Sequence, residues 1–314
     1  MPRWARSRAG SSAPRPGSWC TRRRPWPATP PTRDLVDPAE LSAVAVAAAR
    51  AGAAVAMDWR RRAGSLQVRH KAGPSDLVSQ ADTDTEETIR SVILGRRPHD
   101  GILGEEGGSV AGTGEVTWVV DPVDGTTNYV YGRPDWAVSV AAVRADDQAL
   151  LAGAVAEPAV GRLSWAHLGG GAWADGERLH VPDRTDLAHT LVEVNWGRGR
   201  QKDDAAQMVA ALLPRVRDVR RGGSAAAALA QLATGRADAV WTPGLSPWDC
   251  AAGALLVHEA GGTVGDLDGP CPGRFPASGD VLAAPPALWG PLRELLLPVY
   301  TARRAEATGS RPPA

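Results

Sequence analysis

The segment WVVDPVDGTTNYVY, residues 118–131, decides the fold of this 314-residue chain. It opens with the apolar run 118–120, whose tryptophan and valines favour a short β-strand. Pro122 follows almost at once, and a proline cannot donate the hydrogen bond that a central strand requires. The sequence therefore predicts that the strand breaks here into a loop, which carries the two carboxylates Asp121 and Asp124.

The loop has the features of a site for a phosphate ester. It can direct the carboxylates of Asp121 and Asp124 and the carbonyl of Val123 toward one point. These ligands are hard oxygens without sulfur or imidazole, a set that suits Mg²⁺ better than Zn²⁺. Gly125 and the polar run 126–128 then favour a helix start, whose free backbone N–H groups bind phosphate. The alternative is a plain turn between two strands, because Asp-Gly is a common turn signal.

The charge of the chain is unevenly distributed. The formal net charge is zero, with 35 basic and 35 acidic residues. Residues 1–33 hold eight of the basic residues and no acidic residue, so the remainder carries a net charge of −8. An acidic body suits divalent cations and argues against a nucleic-acid-binding surface. We therefore expect no nucleic-acid partner.

The cysteines and the hydropathy pattern bear on the compartment. Cys20, Cys250 and Cys271 are far apart and form no CxxC pair. This pattern is typical of a reduced protein and argues against a disulfide framework or a zinc ligand set. No apolar run is expected to span a membrane. The sequence thus predicts a cytoplasmic protein without a membrane partner.

The predicted elements indicate one domain between two tails. Asp37 as N-cap, followed by a proline and a glutamate, starts a long amphipathic helix that ends near Arg62. Antiparallel strands follow, and later strands and helices alternate, which predicts layered α/β halves. The predicted boundaries are a disordered Arg/Pro-rich tail over 1–33, a single domain over 34–301 with a metal-binding α+β half (34–185) and an α/β half (186–301), and a disordered tail over 302–314.

Four further acidic residues lie at the ends of predicted elements. Glu105 and Glu106 end a short strand, where the sites of α/β proteins gather, although a solvated acidic turn is the alternative. Asp82 precedes one helix and Asp249 opens another, so each is either a metal ligand or an ordinary N-cap. Their combination around one loop favours a metal site.

These motifs resemble those of the inositol monophosphatase family. Residues 118–132, WVVDPVDGTTNYVYG, are similar to the first signature of the family. Residues 248–253, WDCAAG, with EAGG at 259–262, are similar to the second. The upstream matches are Lys71, Asp76-Leu77-Val78, Ala81-Asp82 and Gly104-Glu105-Glu106.

The resemblance implies a fold, a reaction and an assembly. The fold is of the α/β (α+β) class, a layered α-β-α-β-α sandwich of the inositol monophosphatase and fructose-1,6-bisphosphatase type. The reaction is Mg²⁺-dependent, Li⁺-sensitive hydrolysis of a phosphate monoester by a metal-activated water, with two or three Mg²⁺ ions. The assembly is a homodimer.

The resemblance also implies roles for particular residues. The first metal would be held by Glu105, Asp121 and the Val123 carbonyl, and the second by Asp121, Asp124 and Asp249. A weaker third site would use Glu105 and Asp82. The attacking water would be oriented and deprotonated by Thr126 and Asp82, and the phosphate bound by the backbone N–H groups of Gly125, Thr126 and Thr127. The substrate side would comprise Arg220, Gly223, Ser224 and Ala225, with Lys71 and Glu106 as additional candidates near the site.

Substrate choice depends on one departure from the family pattern. Members that act on inositol carry a glutamate seven residues before the second-signature aspartate, and Thr242 stands there in this chain. The predicted substrate is a small polyol or sugar phosphate, with inositol 1-phosphate first. Histidinol phosphate and fructose bisphosphate are the alternatives. A regulatory binding role without catalysis is a more distant one.

Overall fold

The structure is a computed structural model that describes residues 36–62, 68–70, 77–196 and 201–307. The predicted tail over 1–33 lies outside these residues. The described residues form seven α-helices, which are α1 Pro38–Arg61, α2 Gln80–Arg96, α3 Thr126–Val130, α4 Gln201–Leu212, α5 Ala225–Ala233, α6 Pro247–Glu259 and α7 Pro286–Ala307.

The strands fall into three sheets. Those of the first half are β1 Val68–His70, β2 Leu77–Ser79, β3 Gly101–Gly104, β4 Gly108–Val110, β5 Val116–Asp124, β6 Ala137–Arg144, β7 Leu150–Glu157, β8 Arg162–His167, β9 Gly171–Ala174 and β10 Glu177–Arg178. Those of the second half are β11 Leu191–Val194, β12 Asp218–Arg220, β13 Ala239–Thr242, β14 Thr263–Asp266, β15 Gly269–Pro270 and β16 Val281–Ala284.

The first large sheet has eight strands in the order β10-β9-β8-β7-β6-β5-β3-β4, and β1 and β2 form a separate pair. From β5 to β10 it is the antiparallel meander that the sequence predicted. Strand β3 runs parallel to β5, with Gly104 opposite Val120. Because the carboxyl ends of parallel neighbours meet at one edge, the acids after β3 lie near those at the end of β5.

The second sheet has six strands in the order β12-β11-β13-β16-β14-β15. Strands β12, β11 and β13 are parallel, whereas β16, β14 and β15 are added antiparallel. The predicted boundary at residue 185 falls between β10 and β11, where the chain passes from one large sheet to the other.

The helices form three layers around the two sheets. Helices α1 and α2 cover one face of the first sheet, and their apolar side chains share a core with β5, β6 and β7. Helices α5 and α6 lie between the two sheets and are almost entirely buried. Helices α4 and α7 cover the far face of the second sheet. This arrangement confirms the predicted α-β-α-β-α sandwich.

Helix α1 begins as the sequence predicted. The side chain of Asp37 accepts a hydrogen bond from the N–H of Ala39, which satisfies one of the free donors of the first turn. By length and composition alone, α1 is long and apolar enough to cross a membrane. In this structure its buried residues pack on α2 and the first sheet, so its apolar length has a structural explanation.

Strand β5 continues through the segment that was expected to be a loop. The prediction that it ends before Asp121 is wrong, because β5 reaches Asp124. Its pairing with β6 shifts register between Asp121 and Asp124, so Pro122 lies in an irregular step of the ladder. A bulge leaves residues unpaired, which removes the objection to proline and re-aims the adjacent side chains.

Helix α7 extends to Ala307, past the predicted end of the domain at residue 301. Two prolines, Pro291 and Pro298, lie inside this helix. The helix continues through both of them, although proline usually interrupts a helix. The rest of the predicted C-terminal tail lies outside the described residues.

Candidate active site

Three carboxylates from two distant parts of the sequence meet at one point. Asp121, Asp124 and Asp249 each offer a ligand oxygen, and these atoms lie within 4.8 Å of one another. The first two lie at the end of β5 and the third lies in the first turn of α6. Strand β6 holds the helix start in place, because the Ser139 hydroxyl donates to the Trp248 carbonyl at 3.1 Å.

Asp121 is 1% exposed and lies among other acidic residues. Its Oδ1 accepts the N–H of Val123 at 3.0 Å, whereas its buried Oδ2 receives no hydrogen bond from the described residues. Burial raises its pKa well above the usual value, and the negative charges of neighbouring acids add to the rise. Those acids are Glu105, Asp124, Asp249 and Asp82.

Asp124 also caps a helix of the other half. Its Oδ2 accepts hydrogen bonds from the Ser224 hydroxyl and the Ala226 N–H, both at 2.6 Å. Burial raises the pKa of Asp124 to about 6, and these hydrogen bonds oppose the rise. One carboxylate therefore links the end of β5 to the start of α5.

Asp249 lies inside the first turn of α6 and not at its N-cap. The cap is Ser246, whose N–H donates to Asp249 Oδ2 at 2.6 Å. Burial raises the pKa of Asp249 to about 8, and the charge of Asp124 is the next cause. The helix dipole favours a negative charge here, but desolvation and like charges outweigh it.

The three carboxylates fit a metal ion. Like charges that are buried together are unfavourable unless a cation or protons neutralise them. The ligand atoms are all oxygens, as a hard cation such as Mg²⁺ prefers. Asp121 still has one carboxylate oxygen available for such an ion. The arrangement is therefore that of a metal centre of the oxygen-ligand type.

Two other predicted acids lie close enough to affect this cluster. Glu105 follows β3, and its N–H donates to the Val120 carbonyl at 3.3 Å. Its charge raises the pKa of both Asp121 and Asp249. Asp82 is buried in the first turn of α2, so it is not the N-cap that was considered, and its charge also reaches Asp121.

The segment after Asp124 turns sharply into α3. Gly125 has a φ of 91°, which other residues rarely adopt, and a Cβ here would lie 3.1 Å from the Asp135 carbonyl. The hydroxyl of Thr126 donates to the carbonyl of Val123 at 3.1 Å. The predicted water-orienting residue and the predicted carbonyl ligand are therefore neighbours. Thr127 follows in the first turn of α3.

The predicted substrate-side residues have mixed positions. Ser224 is the buried N-cap of α5, with its hydroxyl on Asp124 and its oxygen accepting the Ala227 N–H at 3.1 Å. Ala225 is buried beside it. Gly223 lies in the turn before the helix, with a φ of 96°. The structure thus brings this segment to the carboxylates but engages its serine in capping.

Arg220 has a different environment from the carboxylate cluster. Its guanidinium pairs with Asp218 at 2.5 Å, and it lines a cavity of about 340 Å³. The other ionisable lining residues are Arg184, His189, Arg217, Asp218, Arg236 and Asp238. Arg184 pairs with Asp238 at 3.0 Å and Arg236 with Glu157 at 2.5 Å. We call this site the arginine cavity.

The sequence analysis missed three side chains that hold the turn before α5. Asn128 donates to the Gly222 carbonyl at 2.7 Å, and Glu193 accepts the Gly222 N–H at 3.1 Å. Asn195 accepts the Gly223 N–H at 2.6 Å. Asn128 lies within the first signature and was read only as part of a helix start. The other two lie in and just after β11, far away in sequence, and only the fold brings them here.

Lys71 and Thr242 are the two remaining predicted positions. Lys71 lies outside the described residues. Thr242 ends β13 and is 1% exposed, and its hydroxyl makes no hydrogen bond within the described part of the chain. A short buried side chain therefore occupies the position where the resemblance places a glutamate.

Comparison with known proteins decides the relationship. The model of the inositol monophosphatase family matches residues 37–303. The chain belongs to the inositol monophosphatase family. The matched residues include all the carboxylates described above, so the family resemblance seen in the sequence is confirmed.

Relatives agree in name and in structure. An inositol-1-monophosphatase of Mesorhizobium japonicum is 41% identical over 233 residues, or 73% of this chain and 86% of the relative. The crystal structure of the extragenic suppressor protein SuhB of Bartonella henselae has a TM-score of 0.76 at 32% identity, over 82% of this chain and 98% of that chain. The Nus factor SuhB of Pseudomonas aeruginosa is 38% identical over 233 residues, or 72% of this chain and 85% of the relative.

These relationships confirm the predicted fold type and enzyme class. The chain has the sandwich of its structural relatives and belongs with the phosphoric monoester hydrolases.

Proposed function

We propose that this protein is a Mg²⁺-dependent phosphatase of small polyol or sugar phosphates, with inositol 1-phosphate as its first substrate. The observation that carries the proposal is the cluster of Asp121, Asp124 and Asp249, whose ligand oxygens lie within 4.8 Å of one another. Burial and mutual repulsion raise the pKa of each, so a divalent cation is the natural neutralising partner.

The chain would hold two or three ions with oxygen ligands. The proposed ligands are Glu105, Asp121, the Val123 carbonyl, Asp124 and Asp249, with Asp82 at a third ion. When bound, Mg²⁺ neutralises charge on the phosphate and lowers the pKa of bound water toward neutrality.

The protein's own groups then supply position and proton transfer. The Thr126 hydroxyl donates a hydrogen bond to the Val123 carbonyl at 3.1 Å. From this position it can orient a water beside the cluster. Asp82 is a buried carboxylate close enough to affect Asp121, and it is the proposed acceptor of the water proton. The backbone N–H groups of Gly125, Thr126 and Thr127 are the proposed phosphate donors.

The substrate class rests on relatives and on the segment before α5. The Mesorhizobium relative is named for inositol 1-phosphate, which favours that substrate over histidinol phosphate and fructose bisphosphate. The proposed substrate contacts are Gly223, Ser224 and Ala225, with Arg220 beyond them. Glu106 and Lys71 are additional candidates. Because Thr242 lacks the carboxylate expected to bind ring hydroxyls, we propose moderate specificity.

The cellular setting is also a proposal. We infer a homodimer, as the family resemblance implies, and a cytoplasmic location, as the cysteine pattern indicates. A second function is favoured by one relative, which is named a Nus factor. A regulatory interaction of this chain with a protein partner is therefore the second candidate, in addition to catalysis.

The decisive experiment measures phosphate release from a panel of esters. The panel contains inositol 1-phosphate, glycerol 2-phosphate, histidinol phosphate and fructose 1,6-bisphosphate, each with millimolar Mg²⁺ and again with a chelator. Asp146→Asn, a change of an exposed acid, is the control for general charge loss. We expect Mg²⁺-dependent release with inositol 1-phosphate among the good substrates. No release from any ester would contradict the proposed function.

A further inference from the structure

A buried glutamate outside the carboxylate cluster accepts hydrogen bonds from the turn that carries Glu105. Glu86 lies in α2 and is 2% exposed. Its Oε2 accepts the N–H of Glu106 at 2.8 Å, and its Oε1 accepts the N–H of Gly107 at 2.9 Å. These are the two residues that directly follow Glu105, so one carboxylate fixes the turn immediately after the proposed metal ligand.

Arg90, one turn later in α2, contacts both the Glu86 carboxylate and the same turn. Its Nε donates to Glu86 Oε1 at 2.8 Å, and its Nη2 donates to the Gly108 carbonyl at 2.9 Å. The guanidinium therefore neutralises the buried carboxylate and also reaches the first residue of β4. Such a bridging contact needs the planar, several-donor head group of arginine, which lysine lacks.

The glycines around Glu105 have a steric reason in the same contact. A Cβ at Gly104 would lie 2.3 Å from Glu86 Oε1, and a Cβ at Gly107 would lie 2.7 Å from the same atom. Both distances are shorter than any tolerated contact. The run GEEGG at 104–108 thus leaves room for the Glu86 carboxylate beside the turn.

Glu105 is consequently fixed by backbone contacts on both sides. Its own N–H donates to the Val120 carbonyl of β5, and the next two N–H groups donate to Glu86. A buried ion pair whose only role was stability could lie anywhere along α2. This one makes its hydrogen bonds to the two peptides that directly follow Glu105.

We propose that Glu86, supported by Arg90, is a positioning residue that sets the affinity of the metal centre through Glu105. The inference rests on the proposed function, in which Glu105 is a metal ligand. Groups that orient a ligand typically change metal affinity by about 10–100-fold when they are removed. Within the described part of the chain, neither residue forms a hydrogen bond or ion pair with the three clustered aspartates, so we expect its effect to pass through the turn.

The test compares Glu86→Gln with Glu87→Gln, which changes an exposed neighbour on the same helix. Glutamine has the same shape but only one acceptor oxygen, so its NH₂ group meets either a backbone N–H or Arg90. We expect Glu86→Gln to raise the Mg²⁺ midpoint of activity and of calorimetric binding about tenfold. The KM for substrate at saturating Mg²⁺ should change less than about twofold, and Glu87→Gln should match the wild type.

Hydrogen exchange of the metal-free protein gives a readout that does not depend on catalysis. The amides of Glu106 and Gly107 should exchange faster in Glu86→Gln than in the wild type, while core amides of β5 should not change. If Glu86→Gln fails to fold, Arg90→Lys serves instead, because lysine cannot make both arginine contacts. We expect this milder variant to raise the Mg²⁺ midpoint by about threefold, less than the tenfold or greater effect of losing the carboxylate.

The two proposals fail in different ways. A folded Glu86→Gln variant whose Mg²⁺ midpoint equals that of the wild type would overturn the positioning role and leave the proposed function intact. A wild type that binds no divalent cation would overturn the proposed function. In that case faster exchange at Glu106 and Gly107 would still show that Glu86 holds the turn. The proposed effect on metal affinity would nevertheless be overturned.

Discussion

Two regions of this molecule gather charged side chains, and they do so in opposite ways. In the carboxylate cluster, Asp121, Asp124 and Asp249 are like charges brought together, the first two buried and the third partly exposed. In the arginine cavity, charges of both signs line an open pocket, and pairs such as Arg184 with Asp238 neutralise each other. The first region has charges of one sign only, whereas the second contains oppositely charged partners.

This difference indicates that the carboxylate cluster is a better candidate for the active site than the arginine cavity. Burial raises the pKa of all three clustered aspartates, so their charged forms are unfavourable in the fold unless protons or a bound cation neutralise them. Exposed ion pairs are worth little and need no ligand, which is the situation of Arg220 with Asp218. A cavity is therefore a weaker sign of an active site than buried charges of one sign.

The largest expected effect follows from removing one clustered charge. Asp121→Asn or Asp249→Asn should nearly abolish turnover while the protein remains folded, because each loses the charge of a proposed metal ligand. Arg217→Ala, in the arginine cavity, is the matched change and should leave kcat within about twofold. Phosphate release at saturating Mg²⁺ checks both, with circular dichroism as the test of folding. An aspartate variant that retains more than about a tenth of the rate, a loss under ~1.4 kcal/mol, would remove the contrast between the regions.

The next effect is on stability and has a definite sign. The pKa of Asp124 is raised to about 6 and that of Asp249 to about 8 in the folded chain, above the ordinary value of 3.8. Between pH 4 and pH 8 the folded state therefore holds more protons than the unfolded state, and stability falls as pH rises through this window. We expect the metal-free protein to melt at a lower temperature at pH 8 than at pH 5, by about 2–4 °C for each kcal/mol lost.

Two comparisons test the origin of that pH effect. Added Mg²⁺ should restore the melting temperature at pH 8, since a ligand that binds only the folded state stabilises it. Asp249→Asn should reduce the difference between pH 5 and pH 8, because it removes one of the shifted groups. Scanning calorimetry measures both. A metal-free protein more stable at pH 8 than at pH 5 would show that the cluster is not under repulsion.

A moderate effect is expected on substrate choice. Thr242 is buried and carries no charge, so it offers no carboxylate to hydroxyls of an inositol ring. The wild type should prefer inositol 1-phosphate over glycerol 2-phosphate by less than a hundredfold, or about 2.7 kcal/mol in kcat/KM. Thr242→Glu should raise that ratio, and Thr242→Gln is the uncharged control. A larger preference in the wild type would show that other groups determine specificity.

The smallest effect concerns the N-terminal residues. A chain that starts near Arg33 should match the full chain in kcat, KM and melting temperature. The reason is that the first helix is capped by Asp37 and its core contacts begin at Leu41. Steady-state kinetics and calorimetry on both forms decide the matter. A marked loss of rate would mean that the basic N-terminal segment contributes to the site.

The sequence by itself determined the parts of the protein that local patterns encode. The N-cap at Asp37 and the antiparallel strands of the first half were readable from residue type and spacing. The carboxylates were also identifiable, because acids at element ends beside an Asp-Gly turn are unusual in combination. Their family resemblance then fixed the layered architecture.

Only the tertiary structure decided how those residues are held. The bulge that lets β5 run through Pro122 depends on the register of its partner strand, which no local pattern gives. The hydrogen bonds from the peptides after Glu105 to Glu86 join residues about twenty positions apart in sequence. The hydrogen bond from Ser224 to Asp124 joins the two halves of the chain. A sequence shows that a carboxylate is present, but its burial and the distance to its neighbours determine its pKa and its affinity for a cation.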